Sequence, residues 1–428
     1  MALAQLRERI VKRTQSKFFY GWIVLGLGAL GMFASGPGQS HTFSVFVGPI
    51  SRDLGITATE IASAYGGATL FAAVCLPLMG RLIDRHGARH MMTIIALLLG
   101  CACIAFGMST GIVWLSIGYA SLRFFGQGSL MMGCVNIVSQ WFSKKRGFAM
   151  SLMGLGFTLS MAVHPPLAQW LIDGFGWRQA WFILGGVTWA LLLVPILFFV
   201  INKPEDVGLK PDGEMPADDA GATDTNTADA IVGLTLNEAL RTPTFYILSA
   251  GMFSLSMLIT SLHFFQVLIF ENQGLAPQIS SKVFAISALV MAICIPMVGR
   301  LLDRFPTQWV YSGGLIIMAC SLVSVTFVND LPSAIIYATF FGLNNAVTMT
   351  FFSFMFARYF GRKHIGSVQG AGQLVAVVGA SLGPVLPGYG FDYFGEFSTT
   401  LLGLAVLPVT MAFVVLFLRP PKLLGENP

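Results

Sequence analysis

Long apolar stretches separated by short polar ones follow one another along the whole chain. Within a stretch the apolar residues do not alternate with polar ones, as they would in a membrane β-strand. A helix needs about 20 largely apolar residues to cross a bilayer. The stretches of that length are 20–48, 58–80, 90–110, 112–140, 147–171, 178–201, 243–270, 280–299, 308–328, 333–357, 365–390 and 396–418. We therefore expect an all-α polytopic membrane protein with twelve transmembrane helices.

The sequence contains a tandem repeat. Residues Pro77–Arg85 align with Pro296–Arg304 and keep Gly, Arg, Leu, Asp and Arg in the same order. Trp141–Lys145 and Tyr359–Lys363 align at nearly the same displacement. Duplication of a six-helix unit explains this spacing, and paired repeats are common in transporters. We predict a basic tail at 1–17, an N-terminal bundle at 18–201, an acidic cytoplasmic linker at 202–242, a C-terminal bundle at 243–419 and a C-terminal tail at 420–428.

Composition and charge fit a membrane location. Hydrophobic residues make up 55% of the chain and charged residues only 11%, against roughly 25% charged in soluble domains. Of the 25 Lys and Arg residues, only Arg52, Arg178 and Lys282 fall in loops opposite the N-terminus, and Arg123 falls within a helix. Because basic loops remain cytoplasmic, we expect both termini in the cytoplasm and the chain in the cell membrane, the inner membrane if the source is bacterial. The net charge of +5 then reflects topology, and no nucleic-acid partner is expected.

The loop after the second predicted helix carries a recognisable motif. Residues 80–89 read G-R-L-I-D-R-H-G-A-R, the second half keeps the same pattern over 299–304, and Arg123 precedes Gly126 in the fourth helix. These features resemble the major facilitator superfamily. The resemblance implies two pseudo-symmetric six-helix bundles, alternating access, and motif charges that latch the halves in one state. The implied conformational-gate residues are Gly80, Asp84, Arg85, Gly87, Arg89, Gly299, Asp303 and Arg304.

A finer resemblance is to the monocarboxylate and oxalate/formate carriers of that superfamily. It rests on Tyr20-Gly21-Trp22, on the run from Lys145 to Ala149, on Gly176-Trp177-Arg178, and on the run from Lys203 to Gly213. Such carriers often hold a carboxylate with an Arg in the eighth helix or a Lys in the eleventh. Here the eighth helix has only Lys282, near its end, and the eleventh has no cation. This departure weakens the inference of an anionic substrate.

Arg123 is the one basic residue inside a predicted helix, and none of the 20 acidic residues lies in the middle of one. Tyr119 and Gln127 lie one turn before and after it, on the same helix face. Charges at this depth mark functional sites, so Arg123 is a candidate ligand for an anion or a coupling residue. The alternative is that it binds backbone carbonyls and Gln127 to fix helix packing. The titratable groups that remain are His41, His164 and His263.

Other polar residues in the helices are also candidates. Gly36-Pro37-Gly38 interrupts the first helix just before Gln39 and His41, and such interruptions often line a substrate path. Breaks are likewise expected at 162–166 and 379–388. The candidate substrate-binding residues are Arg123, Tyr119, Gln39, His41, His263, Gln266, Asn344, Gln369 and Gln373. For Gln39 and His41 the alternative is a kink that serves packing, with His41 bonded to a neighbouring helix. For His263 and Gln266 it is a pair near the outer membrane interface. For the amides of the tenth and eleventh helices it is a hydrogen bond between helices.

These observations predict a secondary active transporter that moves a small, monocarboxylate-like organic anion by proton symport or anion exchange. An exporter of amphipathic or drug-like compounds and a carrier of another small polar solute remain as alternatives. The sequence has no H-E-x-x-H or Walker motif, and the six cysteines lie in apolar stretches. We expect no enzymatic activity, cofactor or metal. The expected partners are the substrate, a proton or counter-anion and the lipid bilayer, and we expect a monomer.

Overall fold

Most of the part of the chain that the structure describes is helical. In this computed structural model that part comprises residues 18–142, 145–213, 233–361 and 365–419. No β-strand occurs within these ranges, and an isolated bridge pairs Gly233 with Gly361. The predicted basic tail, the central part of the acidic linker and most of the C-terminal tail lie outside the described residues.

The first half contains eight α-helices, two pairs of which form interrupted membrane segments. Helices α1 and α2 are separated by a 3-10 turn at Gly36–Gly38, and α5 and α6 are joined by a π-helical stretch at Arg123–Leu130. The helices are α1 Gly21–Ala34, α2 Ser40–Leu54, α3 Ala58–His86, α4 Ala88–Gly107, α5 Ile112–Leu122, α6 Met131–Trp141, α7 Arg146–Phe175 and α8 Trp177–Phe199.

The second half begins with a short helix that leads into a longer set. Its eleventh membrane segment is divided at Gly383 and Pro384 between α14 and α15, as the sequence predicts for 379–388. The helices are α9 Leu236–Ala239, α10 Pro243–Asn272, α11 Pro277–Arg304, α12 Thr307–Val325, α13 Leu331–Phe360, α14 Ile365–Leu382, α15 Val385–Phe394, α16 Ser398–Leu404 and α17 Val406–Val414.

The twelve-helix prediction is confirmed. Ten helical spans among the described residues are long and apolar enough to cross a membrane. The other two segments are the first and the fourth, where a 3-10 turn and a π-helical stretch divide the run of α-helix. Both interruptions are of the kind found where backbone lines or supports a functional site.

The expected break in the fifth segment is wrong. Helix α7 continues through Pro165 and Pro166 without interruption. Proline removes one N–H and leaves a carbonyl one turn earlier unpaired. Membrane helices tolerate this because nearby side chains and local adjustments can satisfy that carbonyl. Helices α3 and α11 also extend past their apolar stretches, so that Asp84, Arg85 and Asp303 lie in the last helical turns rather than in loops.

Equivalent helices pair in the two halves. Helix α1 packs on α7 just as α10 packs on α14. In both pairs a glycine allows backbones to touch: a Cβ atom at Gly156 would collide with the carbonyl oxygen of Ala29, and one at Gly379 would lie 2.6 Å from that of Phe253. Small residues at such crossings are the usual basis of close helix packing in membranes. The sequence duplication is therefore repeated in the packing.

Contacts divide the chain into two compact units whose boundaries do not follow the middle of the sequence. The first unit comprises 1–43 and 71–224, and the second comprises 44–70 and 225–428. Most of α2 and the first part of α3 thus pack with the second unit. The two units are described separately below.

Candidate functional site

The 3-10 turn that interrupts the first membrane segment contacts the π-helical stretch of the fourth membrane segment at two glycines, Gly38 and Gly126. A Cβ atom at Gly38 would lie 2.5 Å from the carbonyl oxygen of Leu122 and 2.9 Å from the Cα of Gly126. A Cβ atom at Gly126 would in turn lie 2.9 Å from the Cα of Gly38. Glycine at both positions therefore lets the two backbones cross in direct contact.

Arg123 begins the π-helical stretch and is only 3% exposed. Its Nη1 atom donates a hydrogen bond of 3.1 Å to the carbonyl oxygen of Gly38. That carbonyl lies in the 3-10 turn, where the α-helical hydrogen-bond ladder is broken and carbonyls become available to side chains. The break in the first membrane segment thus supplies a hydrogen-bond acceptor for the buried guanidinium. A contact between Arg123 and a backbone carbonyl was the alternative role that the sequence analysis gave for this residue.

Tyr119 lies one turn before Arg123 and is fully buried among aromatic rings. Its ring centroid is 4.9 Å from that of Phe43 and 5.0 Å from that of Phe106. Both contacts are T-shaped, an arrangement that the charge distribution of aromatic rings favours. Tyr119 therefore supports the helix that holds Arg123, and its ring is committed to packing.

Gln39 follows the break directly and is 1% exposed. Its Nε2 atom donates to the Oγ of Ser35 at 3.0 Å and contacts the Sδ of Met131 at 3.3 Å. The side chain thus spans the break and reaches the start of α6. Sequence reasoning gave no sign of this contact between Gln39 and the fourth membrane segment.

His41 is joined to α7 through a serine that sequence reasoning missed. Its Nε2 atom is 3.2 Å from the Oγ of Ser160, and that Oγ is 3.1 Å from the Nδ1 of His164. His164, left outside the predicted site, is buried beneath Gly36, where a Cβ atom would collide with the imidazole ring. The signal in the sequence was the spacing of Ser160 and His164, one helical turn apart and therefore on one face.

In the second unit, Gln266 uses both ends of its amide within the helix packing. Its Nε2 donates to the carbonyl oxygen of Ser280 at 3.2 Å, and its Oε1 accepts from the hydroxyl of Tyr337 at 2.9 Å. These contacts link α10 to α11 and α13. His263, one turn earlier, packs its ring against Phe341 and Phe284, with centroid distances of 4.8 and 6.1 Å.

The remaining amides of the second unit are spread along its helices. Asn344 is fully buried, and its Nδ2 lies 2.7 Å from the Sδ of Met318, while its Oδ1 has no hydrogen-bond partner among the described residues. Gln369 donates from Nε2 to the carbonyl oxygen of Phe352 at 3.0 Å, and Gln373 is exposed on α14. The hydrogen bonds of the second-unit amides thus run mainly between helices of that unit.

The repeated motif charges lie at exposed helix ends. Asp84, Arg85, Asp303 and Arg304 are all exposed, and no ion pair between described residues includes them. Gly80 and Gly299 lie within α3 and α11. Gly87 has a φ of +83°, which favours glycine, and the following Arg89 backbone N–H donates to the Oδ1 of Asn202 at 2.8 Å.

The segment 44–70 is held in the second unit by polar contacts. Arg52 pairs with Glu271 at 3.7 Å between Nη1 and Oε2. The carboxylate of Asp392 accepts from the backbone N–H of Ala58 at 3.3 Å and of Thr59 at 2.9 Å. A carboxylate at a helix N-terminus satisfies free N–H groups and the helix dipole, so Asp392 stabilises the start of α3.

Paired helical repeats with interrupted helices are features of secondary transporters. Among the described residues, no group of three or more His, Cys, Asp or Glu side chains is arranged to hold a metal ion. A family model described as Major Facilitator Superfamily matches residues 25–276 and 264–428. The chain belongs to the Major Facilitator Superfamily and is a multi-pass membrane protein of this transporter family.

Individual proteins resemble the chain at low identity over most of its length. Monocarboxylate transporter 2 of Homo sapiens is 24% identical over 402 residues, 88% of this chain and 81% of the relative. The hexuronate transporter of Bacillus subtilis is 25% identical over 400 residues, covering 87% and 88%. The crystal structure of a bacterial homologue of the human lysosomal transporter Spinster, inward-facing and unoccupied, has a TM-score of 0.67 at 16% identity and covers 94% and 95%.

Proposed function

We propose that this protein is a secondary active transporter for a small, monocarboxylate-like organic anion, and that Arg123 provides its main positive charge at the substrate site. The observation that supports this proposal most directly is a 3% exposed guanidinium held at the crossing of two interrupted helices. Charged groups at membrane depth are costly and therefore tend to be kept for function.

The chemistry of Arg123 suits a carboxylate. A guanidinium presents five N–H donors in one plane, and the Gly38 carbonyl takes one of them in the described contact. Two parallel N–H groups match the two oxygens of a carboxylate, which gives a strong, oriented contact. Gln39 lies one residue beyond Gly38 and adds an amide to the same crossing.

The names of the relatives favour the same chemical class. Monocarboxylates and hexuronates differ in size and polarity, but both carry a carboxylate. We propose that the shared carboxylate is what Arg123 recognises and that the surrounding side chains select its substituent.

We propose alternating access as the transport mechanism, with the basic loops and both termini in the cytoplasm of a cell whose plasma membrane contains the protein. In this proposal the contacts that hold the segment 44–70 within the second unit differ between states. The Arg52–Glu271 pair and the Asp392 cap would then release when the repeated charges at Asp84 and Asp303 engage.

The test is transport by purified protein in proteoliposomes. A panel of pyruvate, lactate, benzoate and glucuronate identifies the transported anion, since a ligand also raises the melting temperature of the state it binds. We expect Arg123→Gln to reduce uptake of the transported anion by about 30-fold or more, since loss of one partner of a buried charge contact costs about 2 kcal/mol or more. Arg123→Lys keeps the charge but not the planar pair of donors, and we expect an intermediate loss.

Arg178 offers a matched control. Its Nη2 also donates to a backbone carbonyl, that of Ser109, at 3.0 Å, and its guanidinium stacks on Trp177. Arg178→Gln should therefore keep uptake near that of the unchanged protein. Full anion uptake by a folded Arg123→Gln variant, or competition by hydrophobic cations rather than carboxylates, would overturn the proposed substrate class.

A further inference from the structure

Two imidazoles and one hydroxyl form a continuous hydrogen-bonded chain in the first unit. His41, from the start of α2, and His164, from the middle of α7, contact the same oxygen atom, the Oγ of Ser160, at 3.2 and 3.1 Å. The three side chains are 1%, 4% and 0% exposed. Buried imidazoles that share a hydroxyl can pass a proton without a water molecule between them.

The contacts of His164 give the chain a direction. Its Nδ1 is also 3.2 Å from the carbonyl oxygen of Ser160, which can only accept, so Nδ1 bears a proton. The carbonyl oxygen and the Oγ of Ser160 share this single proton as acceptors, and the Oγ donates its own proton to the Nε2 of His41. This assignment follows from the hydrogen-bond network and makes the Nε2 of His41 the final acceptor.

The elements packed on α7 bring few other titratable groups to the chain. The rings of Phe33 and Phe157 pack against His164 and His41 at centroid distances of 4.8 and 5.6 Å. The elements packed on α7 are α1, α6, α8 and the 3-10 turn. Helix α1 and the turn have no titratable side chain, and α6 contributes only Cys134, which lies against Gly31. The other charged residues of α2, α7 and α8 lie near helix ends: Arg52, Asp53, Arg146, Asp173 and Arg178.

One charge is close by along the chain. The guanidinium of Arg123 binds the carbonyl of Gly38, three residues before His41. A positive charge near an imidazole disfavours its protonation. An anion that binds to this charge neutralises it and makes protonation of the imidazole easier. Proton and anion binding are then coupled, and each must strengthen the other by the same factor.

We propose that His41, Ser160 and His164 form the proton-binding site of a proton–anion symporter. A proton that arrives at the Nε2 of His164 releases the Nδ1 proton to the Oγ of Ser160, whose own proton passes to the Nε2 of His41. His164 ends neutral with its proton on Nε2, Ser160 is unchanged, and His41 becomes an imidazolium. The proposal rests on the proposed anion transport, and it assigns coupling to histidines in a protein with no acidic residue in the middle of a predicted helix.

The experiment compares two transport modes in proteoliposomes that contain a pH-sensitive dye. Net inward flow of the transported panel anion acidifies the lumen if a proton accompanies it, whereas exchange of labelled for unlabelled anion needs no net proton transfer. The variants are Ser160→Ala, Ser160→Thr and His164→Gln. Ser151→Ala is the matched control, since Ser151 is an exposed serine of the same helix that bonds only to its own turn.

We expect Ser160→Ala and His164→Gln to lower proton-coupled acidification about tenfold, within the usual range of coupling between sites. Exchange measured at saturating anion should stay within about threefold, since saturation offsets the weaker anion affinity that the loss of the proton site brings. Ser160→Thr keeps the hydroxyl and should restore acidification, and Ser151→Ala should leave it unchanged. Retained exchange also verifies that the variants fold. In the unchanged protein, anion affinity should fall as the pH rises, and this dependence should flatten in His164→Gln.

Three results would overturn the assignment, and they differ in what else they affect. Acidification at the unchanged ratio in both Ser160→Ala and His164→Gln would exclude the histidine chain while leaving anion symport intact. Anion transport without any proton movement in the unchanged protein would exclude symport and leave the proposed anion transport. If the unchanged protein moves no panel anion in either mode, the proposed function fails and the proton site fails with it.

Discussion

The two units use their buried polar side chains differently. In the first unit, Arg123 and Gln39 bind a carbonyl and a hydroxyl beside a break in a helix, and His41, just after that break, contacts a hydroxyl of α7. In the second unit, Gln266 and Asn344 lie in unbroken helices and join them to neighbouring helices. The first arrangement concentrates charge and titratable groups, and the second distributes neutral hydrogen bonds through the packing.

This difference has a simple origin in a duplicated protein. Both halves need the same helix pairs, and both use glycine at the crossings, at Gly156 and Gly379. Only one copy needs to hold the charge that binds a substrate, and a single buried cation costs less than two. We therefore expect changes in the first unit to affect transport more than stability, and changes in the second unit to do the reverse.

The largest effect should come from Gly38→Ala. The new methyl group would lie 2.5 Å from the carbonyl oxygen of Leu122 and 2.9 Å from the Cα of Gly126, both of them backbone atoms that cannot rotate away. Overpacking of this kind costs about 1–3 kcal/mol, and the shift moves the carbonyl that holds Arg123. We expect anion uptake to be abolished and the melting temperature to fall, measured in proteoliposomes and in detergent.

Gly26→Ala is the control for that substitution. Gly26 lies in α1, on the same membrane segment, and an added Cβ atom there meets nothing within 4 Å. Uptake should be unaffected, and stability should rise slightly because alanine favours helix more than glycine does. If Gly38→Ala transported as well as Gly26→Ala, the crossing would not be what positions Arg123.

Most of the fold followed from the sequence because membrane helices obey a strong constraint. Every backbone polar group must be satisfied within the bilayer, so length and hydropathy identify spanning helices. The same reasoning failed at Pro165 and Pro166, where a proline pair predicted a break and α7 continues. The exact ends of α3 and α11 were also missed because a helix can extend beyond the apolar stretch that marks it.

The polar residues were harder to interpret than the helices. The sequence identified Arg123 and His41 as candidates because a charged or imidazole side chain is unusual within an apolar stretch. Ser160 went unnoticed because serine is common in membrane helices and its importance depends on which neighbour it faces. The two contacts of Gln266 were equally hidden, since they depend on the rotation of α11 and α13, which periodicity does not fix.

A smaller effect is expected for Gln266→Leu, which tests whether the neutral hydrogen bonds of the second unit serve stability rather than transport. The change leaves the buried hydroxyl of Tyr337 without its acceptor and should cost about 1–3 kcal/mol of stability, seen as a lower melting temperature. The KM for the anion should stay the same. Adding Tyr337→Phe removes the stranded hydroxyl, so the double variant should regain stability. A raised KM in Gln266→Leu with unchanged melting would instead assign the amide to the substrate.

The smallest effect should come from Asn344→Leu. The Oδ1 of Asn344 is buried without a hydrogen-bond partner among the described residues, and the Nδ2 reaches only the sulfur of Met318. An unsatisfied buried oxygen already costs the folded protein free energy, so an apolar side chain of similar size should change stability by about 1 kcal/mol or less. The neighbouring Asn345 donates to the carbonyl of Phe341 at 2.8 Å, and Asn345→Leu is the matched comparison. If Asn344→Leu instead weakened anion binding while Asn345→Leu did not, the lone oxygen would be a substrate ligand, and the second unit would contribute chemistry as well as packing.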